Sequence, residues 1–234
     1  MSPATSGPLD REDLRQRVQK ALDAFVAGQL PVLDAISEDL GPLTEALTEL
    51  MGGQYLDLLE QARGGGSVER ALRVARYKSA KYTIEKPLHL GAALAGANAD
   101  VLEGYSGYGL PLGEAFQLRD DVLGVFGDPS VTGKPAGDDL REGKRTVLVA
   151  LALESASSGQ EQLVRRHLGD PHLGEEGVAA LREVLADTGA CDRVEALIAE
   201  LLDDAVQAVR AAPLDGQARE VLEQLALAAT SRSL

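Results

Sequence analysis

Cysteine and aromatic residues are scarce in this 234-residue chain, and tryptophan is absent. The single cysteine, Cys191, excludes an intrachain disulfide framework and a cysteine-rich zinc site. The three histidines, His89, His167 and His172, are scattered and do not indicate a metal site. Hydrophobic residues nevertheless make up 44% of the sequence, which is enough for the core of one globular domain.

Basic residues are also in short supply, and the formal net charge is −14. Proteins that bind nucleic acid neutralise its phosphates with Lys and Arg, so this balance argues against a nucleic-acid partner. It does not exclude a phosphorylated small molecule, because a divalent cation can bridge groups of like charge.

Long hydrophobic runs are missing as well. The longest, from Val147 to Leu153, is far too short to cross a bilayer. Met1 is not followed by the basic region and apolar stretch of a secretory signal. We therefore expect a soluble, cytoplasmic protein without a membrane span.

A helical pattern runs along almost the whole sequence. Asp10 can cap a helix over residues 14–28 that ends at Gly28, Pro31 can begin the next, and Ser67 can cap another. Late in the chain, apolar residues recur at spacings of three and four, as on one face of a helix: Val178, Leu181, Leu185, Val194, Leu197, Ile198, Leu201, Ala205 and Val209. Strict alternation with a period of two is absent. The sequence predicts an all-α fold, a bundle of mostly antiparallel helices.

Two adjacent carboxylates stand out in the stretch FQLRDDVLGVFGDPSVTGKPAGDDLREGKRT, residues 116 to 146. Asp120 and Asp121 lie in a segment so rich in apolar residues that its helix is expected inside the bundle, where carboxylates need a partner, water or a cation. Gln117 lies one turn before Asp121, so both project on one side. Hard oxygen ligands of this kind suit Mg²⁺. The pair Asp203-Asp204, by contrast, is interpreted as a solvated helix face.

The loop after this helix adds glycines and positive charge. Gly127, Gly133 and Gly137 allow close backbone approach. Lys134 and Lys144 are point charges suited to phosphate. The loop is not a P-loop, because that motif needs a preceding strand and a different glycine spacing, and Pro135 follows the lysine.

The same segment resembles the second aspartate-rich region of the trans-polyprenyl diphosphate synthases. It has their F-Q-x-x-D-D opening, then G-D-P, T-G-K, D-L and G-K-x-T. GQYLDL, residues 53–58, resembles the family's G-Q-x-x-D helix. RYKSAKYTIEKPLHLGAAL, which begins at Arg76, resembles its lysine-threonine helix. The likeness covers residues 48 to 155 and is nearest to actinobacterial-type geranylgeranyl diphosphate synthases.

This resemblance implies the family's fold and reaction. The fold is an antiparallel helical bundle around a central cavity, usually dimeric. In the reaction, an allylic diphosphate ionises with the help of Mg²⁺ and isopentenyl diphosphate attacks the carbocation. A proton is then lost to the released diphosphate. The product is a longer, lipid-like polyprenyl diphosphate, so we expect a homodimeric prenyltransferase.

The resemblance also implies roles for individual residues. Asp120 and Asp121 match the metal-binding aspartates, the first bridging to the ion and the second holding its waters. With Lys78 they form the expected catalytic set. The expected diphosphate-binding residues are Lys78, Ser79, Gln117, Lys134 and Lys144, and Ser79 keeps a hydroxyl where the family prefers threonine. Gln54 and Asp57 match the helix that faces the cavity from the other side.

Two departures from the family pattern are visible. Gly124 stands at the third position of D-D-x-x-D, and Asp128 is interpreted as a turn residue rather than its replacement. The first aspartate-rich motif is absent, as if several helices were missing near residue 47 from an otherwise single domain, residues 1–234. Such a removal exposes apolar faces, which favours an incomplete sequence over a true deletion.

Two alternatives to the enzyme remain at this point. One is a non-catalytic homologue that acts as a partner subunit or scaffold. The other is a generic acidic helical bundle that binds metal and phosphate. The second explains Asp120 and Lys134, but not why three separate stretches match one family in order.

Overall fold

The computed structural model describes residues 41–63, 66–129, 135 and 137–231. Within these residues it is all-α and has no β-strand, which confirms the predicted fold class. The helices are α1 Gly41–Arg63, α2 Val68–Ala75, a π-helix Arg76–Glu85, α3 Lys86–Leu94, α4 Ala99–Phe126, α5 Asp138–Glu142, α6 Val147–Ser155, α7 Ser158–His167, α8 Glu175–Asp187, α9 Ala190–Ala211 and α10 Gly216–Thr230. The predictions for Asp10, Gly28, Pro31 and Lys134 lie outside the described residues.

Side chains that accept backbone hydrogen bonds fix where several helices begin. Ser67 accepts from the amide of Arg70 and caps α2, as predicted. Thr146 caps α6 in the same way, through the amide of Val149. Each cap satisfies one of the free amides in the first helical turn, which typically contributes about 1 kcal/mol.

The central element is α4, which packs against the π-helix on one side and α9 on the other. Leu118, Val122 and Val125 of α4 belong to the main hydrophobic core. Most of the predicted apolar face of α9 is buried, namely Val194, Ile198, Ala205 and Val209, and its other members, Leu197 and Leu201, are half-buried. Since α4 carries Asp120 and Asp121 near its C-terminal end, this packing fixes the position of both carboxylates.

The apolar run from Val147 belongs to the core. All residues from Val147 to Ala152 are buried in α6. The run is therefore a central core helix. In the part of the chain that the structure describes, no helix is long and apolar enough to cross a membrane.

Glycines let neighbouring helices approach the π-helix closely. A Cβ atom built on Gly53 of α1 would lie 2.5 Å from the backbone nitrogen of Lys78. On the opposite side, a Cβ on Gly113 of α4 would lie closer than 3.0 Å to Ala80. The π-helix is thus held between the bare backbones of two helices, and this fixes the position of Lys78.

We expect Gly53→Ala to destabilise the protein, because α1 must move away from the π-helix to admit a methyl group. Overpacking of this kind costs roughly 1–3 kcal/mol. The neighbouring Gly52 is a matched control, since nothing lies within 4 Å of a Cβ at that position. Gly52→Ala should stabilise the helix by about 0.5–1 kcal/mol. Thermal unfolding of the two variants measures the difference, and equal shifts would contradict the close packing.

Candidate active site

A cavity of about 70 Å³ lies between α2, the π-helix, α4 and the segment that leads into α6. It has room for several water molecules. The apolar part of its wall comes from α2. Its polar lining includes Asp57, Lys78, Ser79, Gln117, Asp121 and Lys144. Residues that are far apart in sequence, and that the sequence analysis selected separately, therefore meet in one place.

Lys78 is held by a carboxylate from a different helix. Its Nζ atom lies 2.6 Å from Oδ2 of Asp57, which α1 supplies. The side chain of Lys78 is about one-third exposed, so the ammonium group borders both the cavity and solvent. Lys78 lies in the π-helix, a conformation that is rare and often found at functional sites.

Ser79, Gln117 and Asp121 form a chain of hydrogen bonds along one wall. The hydroxyl of Ser79 donates to Oε1 of Gln117, at 2.5 Å. Nε2 of Gln117 then donates to Oδ1 of Asp121, at 2.8 Å. The last contact follows from the spacing of four residues on α4, which the sequence already indicated. The amide of Gln117 is thereby oriented, and so is the carboxylate of Asp121.

Asp121 is buried, with 8% of its surface exposed. Burial raises its pKa to about 7, and the nearby charges of Asp139 and Asp120 act in the same direction. The hydrogen bond from Gln117 and the charge of Lys144 oppose the rise. Near neutral pH this carboxyl group therefore exists in both protonation states, and a cation close to it would favour the ionised one.

Lys144 is paired with Asp139, a carboxylate that the sequence analysis did not select. Lys144 Nζ donates to Oδ1 of Asp139. Although burial favours the neutral amine, the hydrogen bond and charge of Asp139 raise the pKa of Lys144. Asp139 is 5% exposed and lies on α5.

Glycines at both ends of α5 place Asp139 against α4. Gly137 and Gly143 have φ angles of +77° and +73°, in the left-handed region that glycine tolerates best. The backbone therefore turns sharply on either side of this five-residue helix. The only sequence signal for Asp139 is its place in the D-L element of the family resemblance, because its burial depends on this packing.

Two predicted site residues do not line this cavity. Asp120 is exposed on α4, next to the buried Asp121. Gln54 is exposed on α1, one turn before Asp57. Its predicted role at the substrate cavity stays a prediction. Arg145, which was not predicted, does line the cavity. Its Nε and Nη1 atoms are buried and have no hydrogen-bond partner in the described parts of the chain.

Comparison with known proteins relates this arrangement to a family. Residues 26–185, more than half of the chain, match the model for polyprenyl synthetase. The chain belongs to the polyprenyl synthetase family. The resemblance to this family that three sequence stretches indicated is therefore confirmed.

Relatives of known structure or activity resemble this chain. A geranylgeranyl pyrophosphate synthase from Corynebacterium glutamicum, crystallised with isoprenyl diphosphate and magnesium, is 42% identical with a TM-score of 0.79. The likeness covers 84% of this chain and 57% of that one. A polyprenyl synthase from Caulobacter crescentus, crystallised with calcium and isoprenyl diphosphate, is 32% identical with a TM-score of 0.77. It covers 87% of this chain and 62% of that one.

A geranylfarnesyl diphosphate synthase from Aeropyrum pernix is 34% identical over 184 residues, which cover 78% of this chain and 56% of that protein. The chain thus spans little more than half the length of the Aeropyrum pernix and Corynebacterium glutamicum relatives. No D-D-x-x-D sequence occurs in its 234 residues. In the structure, α1 continues without a break through residue 47, the point at which the sequence analysis expects further helices.

Proposed function

We propose that the protein is a Mg²⁺-dependent prenyltransferase that condenses isopentenyl diphosphate with an allylic diphosphate to make a longer polyprenyl diphosphate. The observation that supports this most strongly is the convergence of Lys78, Lys144, Gln117 and Asp121 on one cavity. These residues come from separate parts of the chain. Together they provide two cations, an oriented amide and a carboxylate, in a member of the polyprenyl synthetase family.

The two lysines are suited to hold the diphosphate of the allylic substrate. Each is paired with a carboxylate in the structure, Lys78 with Asp57 and Lys144 with Asp139. Their ammonium groups are therefore held in place before substrate arrives, which reduces the reorganisation that binding requires. Lys134, which lies outside the described residues, is proposed as a third cation by resemblance alone.

The donor set near Asp121 fits a magnesium ion that binds together with substrate. Among the described residues, no three His, Cys, Asp or Glu side chains form a complete metal cage. Mg²⁺ commonly uses only one or two carboxylates and completes its coordination with water and substrate phosphate oxygens. We propose Asp120 and Asp121 as these carboxylates. When bound, the ion would neutralise negative charge on the departing diphosphate.

The chain's own groups then have defined tasks in the reaction. Lys78 and Lys144 stabilise the diphosphate as the allylic carbon–oxygen bond breaks and its electron pair leaves with the diphosphate. Ser79 and Asp121 orient the amide of Gln117 at the cavity wall. In this position the amide can form a hydrogen bond with the bound substrate. The double bond of isopentenyl diphosphate supplies the electrons for the new carbon–carbon bond. The released diphosphate takes the proton that is lost.

Helices present in longer relatives are proposed to cover one face of this domain. Leu58 on α1 and Tyr82 on the π-helix are 61% and 47% exposed, although both are large and apolar. Leu47, at the expected junction, is 37% exposed. Large apolar side chains exposed in this way on a family member support the proposal that those helices pack against α1 and the π-helix. The family resemblance implies a homodimer, and we propose that it works in the cytoplasm.

Chain elongation tests the proposed function. The purified protein is incubated with farnesyl diphosphate, labelled isopentenyl diphosphate and Mg²⁺, and the products are separated by length. We expect a longer, labelled prenyl diphosphate, and Asp120→Ala should lower its yield about 100-fold or more. Asp203→Ala, on the exposed side of α9, is the matched control and should leave the yield unchanged. If the folded protein gives no labelled product, this chain is either a non-catalytic homologue or an incomplete sequence of the enzyme.

A further inference from the structure

An ion pair lies beside the candidate active site without lining its cavity. Arg76, the first residue of the π-helix, donates from Nε to Oε1 of Glu114 on α4. Glu114 is 4% exposed, whereas the side chain of Arg76 is about half exposed. The hydrogen bond to Glu114 raises the pKa of Arg76 above its ordinary value, although burial opposes the rise. Neither of these two residues lines the cavity, so any effect on substrate must pass through other side chains.

Glu114 shares one face of α4 with two residues of the site. Glu114, Gln117 and Asp121 follow one another at spacings of three and four. In the π-helix, Ser79 lies three residues after Arg76 and donates its hydroxyl hydrogen to Gln117. The ion pair and the hydrogen bond of Ser79 therefore tie the first part of the π-helix to neighbouring turns on one face of α4.

We propose that Arg76 and Glu114 are positioning residues for substrate binding, because they hold the π-helix in the register that brings Ser79 to Gln117. This inference rests on the proposed function. Backbone hydrogen bonds in a π-helix join residues i and i+5, so a return to α-helical bonding would rotate the later side chains about the helix axis. A directed contact at the first residue of the π-helix opposes this rotation where it would begin.

The two sides of the π-helix are held by different contacts. Asp57 of α1 holds Lys78 on one side, with 2.6 Å between Oδ2 and Nζ. Glu114 of α4 holds Arg76 on the other side. Loss of the contact between Arg76 and Glu114 should therefore disturb Ser79 on the α4 side, while Asp57 still restrains Lys78.

Isothermal titration of the whole protein with inorganic pyrophosphate and Mg²⁺ tests the inference, with thermal unfolding measured on the same samples. Arg76→Gln should weaken pyrophosphate binding about tenfold, within the range of couplings between residues in contact. Arg76→Lys should keep most of the affinity, because the contact uses Nε and the lysine amine lies only one methylene farther along the side chain.

Arg73→Gln is the matched control for the removal of one positive charge. Arg73 lies one turn earlier, on α2, and pairs with Glu69 in an exposed contact. It does not line the cavity. Its replacement should leave pyrophosphate affinity unchanged, and a loss equal to that of Arg76→Gln would show that overall charge causes both and so contradict the positioning role.

A variant with two apolar residues separates positioning from stability. Arg76→Met combined with Glu114→Leu leaves no buried charge without a partner, and exchanges of this kind are often neutral or stabilising for folding. We expect this double variant to unfold at or above the temperature of the unaltered protein and yet to bind pyrophosphate about tenfold more weakly. It also keeps the test decisive if Arg76→Gln does not fold.

A double-mutant cycle with Ser79→Ala tests the path of the effect. Once Ser79 is alanine, the hydroxyl that the ion pair positions is absent, so Arg76→Gln should weaken binding by less than about twofold. A full tenfold loss in that background, or unchanged affinity in the apolar double variant, would overturn the inference and leave the proposed function intact. Absence of pyrophosphate binding by the unaltered protein would instead overturn the proposed function, and this inference with it.

Discussion

Lys78→Ala is expected to weaken pyrophosphate binding roughly 10- to 100-fold, the range of one lost contact to a charged group. The ammonium group of Lys78 borders the cavity and is kept in place by Asp57. Its removal leaves Lys144 as the remaining lysine among the cavity-lining residues that the structure describes. Isothermal titration with pyrophosphate and Mg²⁺ measures the loss.

Lys81→Ala is the matched control for this change. Lys81 lies in the same π-helix and also pairs with a carboxylate of α1, Glu49, but it does not line the cavity. Its replacement removes the same charge from the protein and should change pyrophosphate affinity little. Similar losses in both variants would mean that Lys78 acts through the overall charge rather than by contact with the diphosphate.

The metal-free protein is expected to lose stability as the pH rises from about 4 to 7, because of Asp121. Burial raises the pKa of Asp121 to about 7, whereas its ordinary value is 3.8. Over this pH range the native chain keeps a proton that the unfolded chain releases, so the stability contribution of this group is largest at low pH and falls with rising pH. Each unit of pKa difference corresponds to about 1.4 kcal/mol, which makes the expected effect one of a few kcal/mol.

Asp121→Asn should flatten this dependence, since the amide has no proton to release in that range. The free energy of unfolding of both proteins, measured by urea denaturation between pH 4 and pH 8, gives the comparison. Mg²⁺ with pyrophosphate should restore stability to the unaltered protein at pH 8 but not to Asp121→Asn. Parallel pH profiles for the two proteins would contradict an ionisable, buried Asp121.

Local patterns in the sequence were enough to predict part of this site. The spacing of Gln117 and Asp121 predicted that they share one side of α4, and their hydrogen bond agrees with it. Ser67 was correctly identified as a helix cap. These features depend on neighbours within one or two helical turns, where backbone geometry is nearly fixed.

Features that depend on packing between helices could not be predicted in this way. The pairing of Lys78 with Asp57 requires α1 and the π-helix to meet at Gly53. The approach of Asp139 to Gly124 requires α5 to turn back against α4. The local periodicity of a helix does not specify which other helix it packs against. The family resemblance therefore supplied Lys78 and Asp57 only as matched positions, and it assigned no role to Asp139. The π-helix was not predicted, because the apolar spacing of residues 76–85 does not distinguish it from an α-helix.

The central claim is that the cavity between the π-helix and α4 binds a diphosphate with magnesium. A crystal structure of the protein with Mg²⁺ and pyrophosphate tests it most directly. We predict pyrophosphate against Lys78 and Lys144, with magnesium between its oxygens and the carboxylates of Asp120 and Asp121. Pyrophosphate bound elsewhere, or a cavity without it at saturating concentration, would contradict the account.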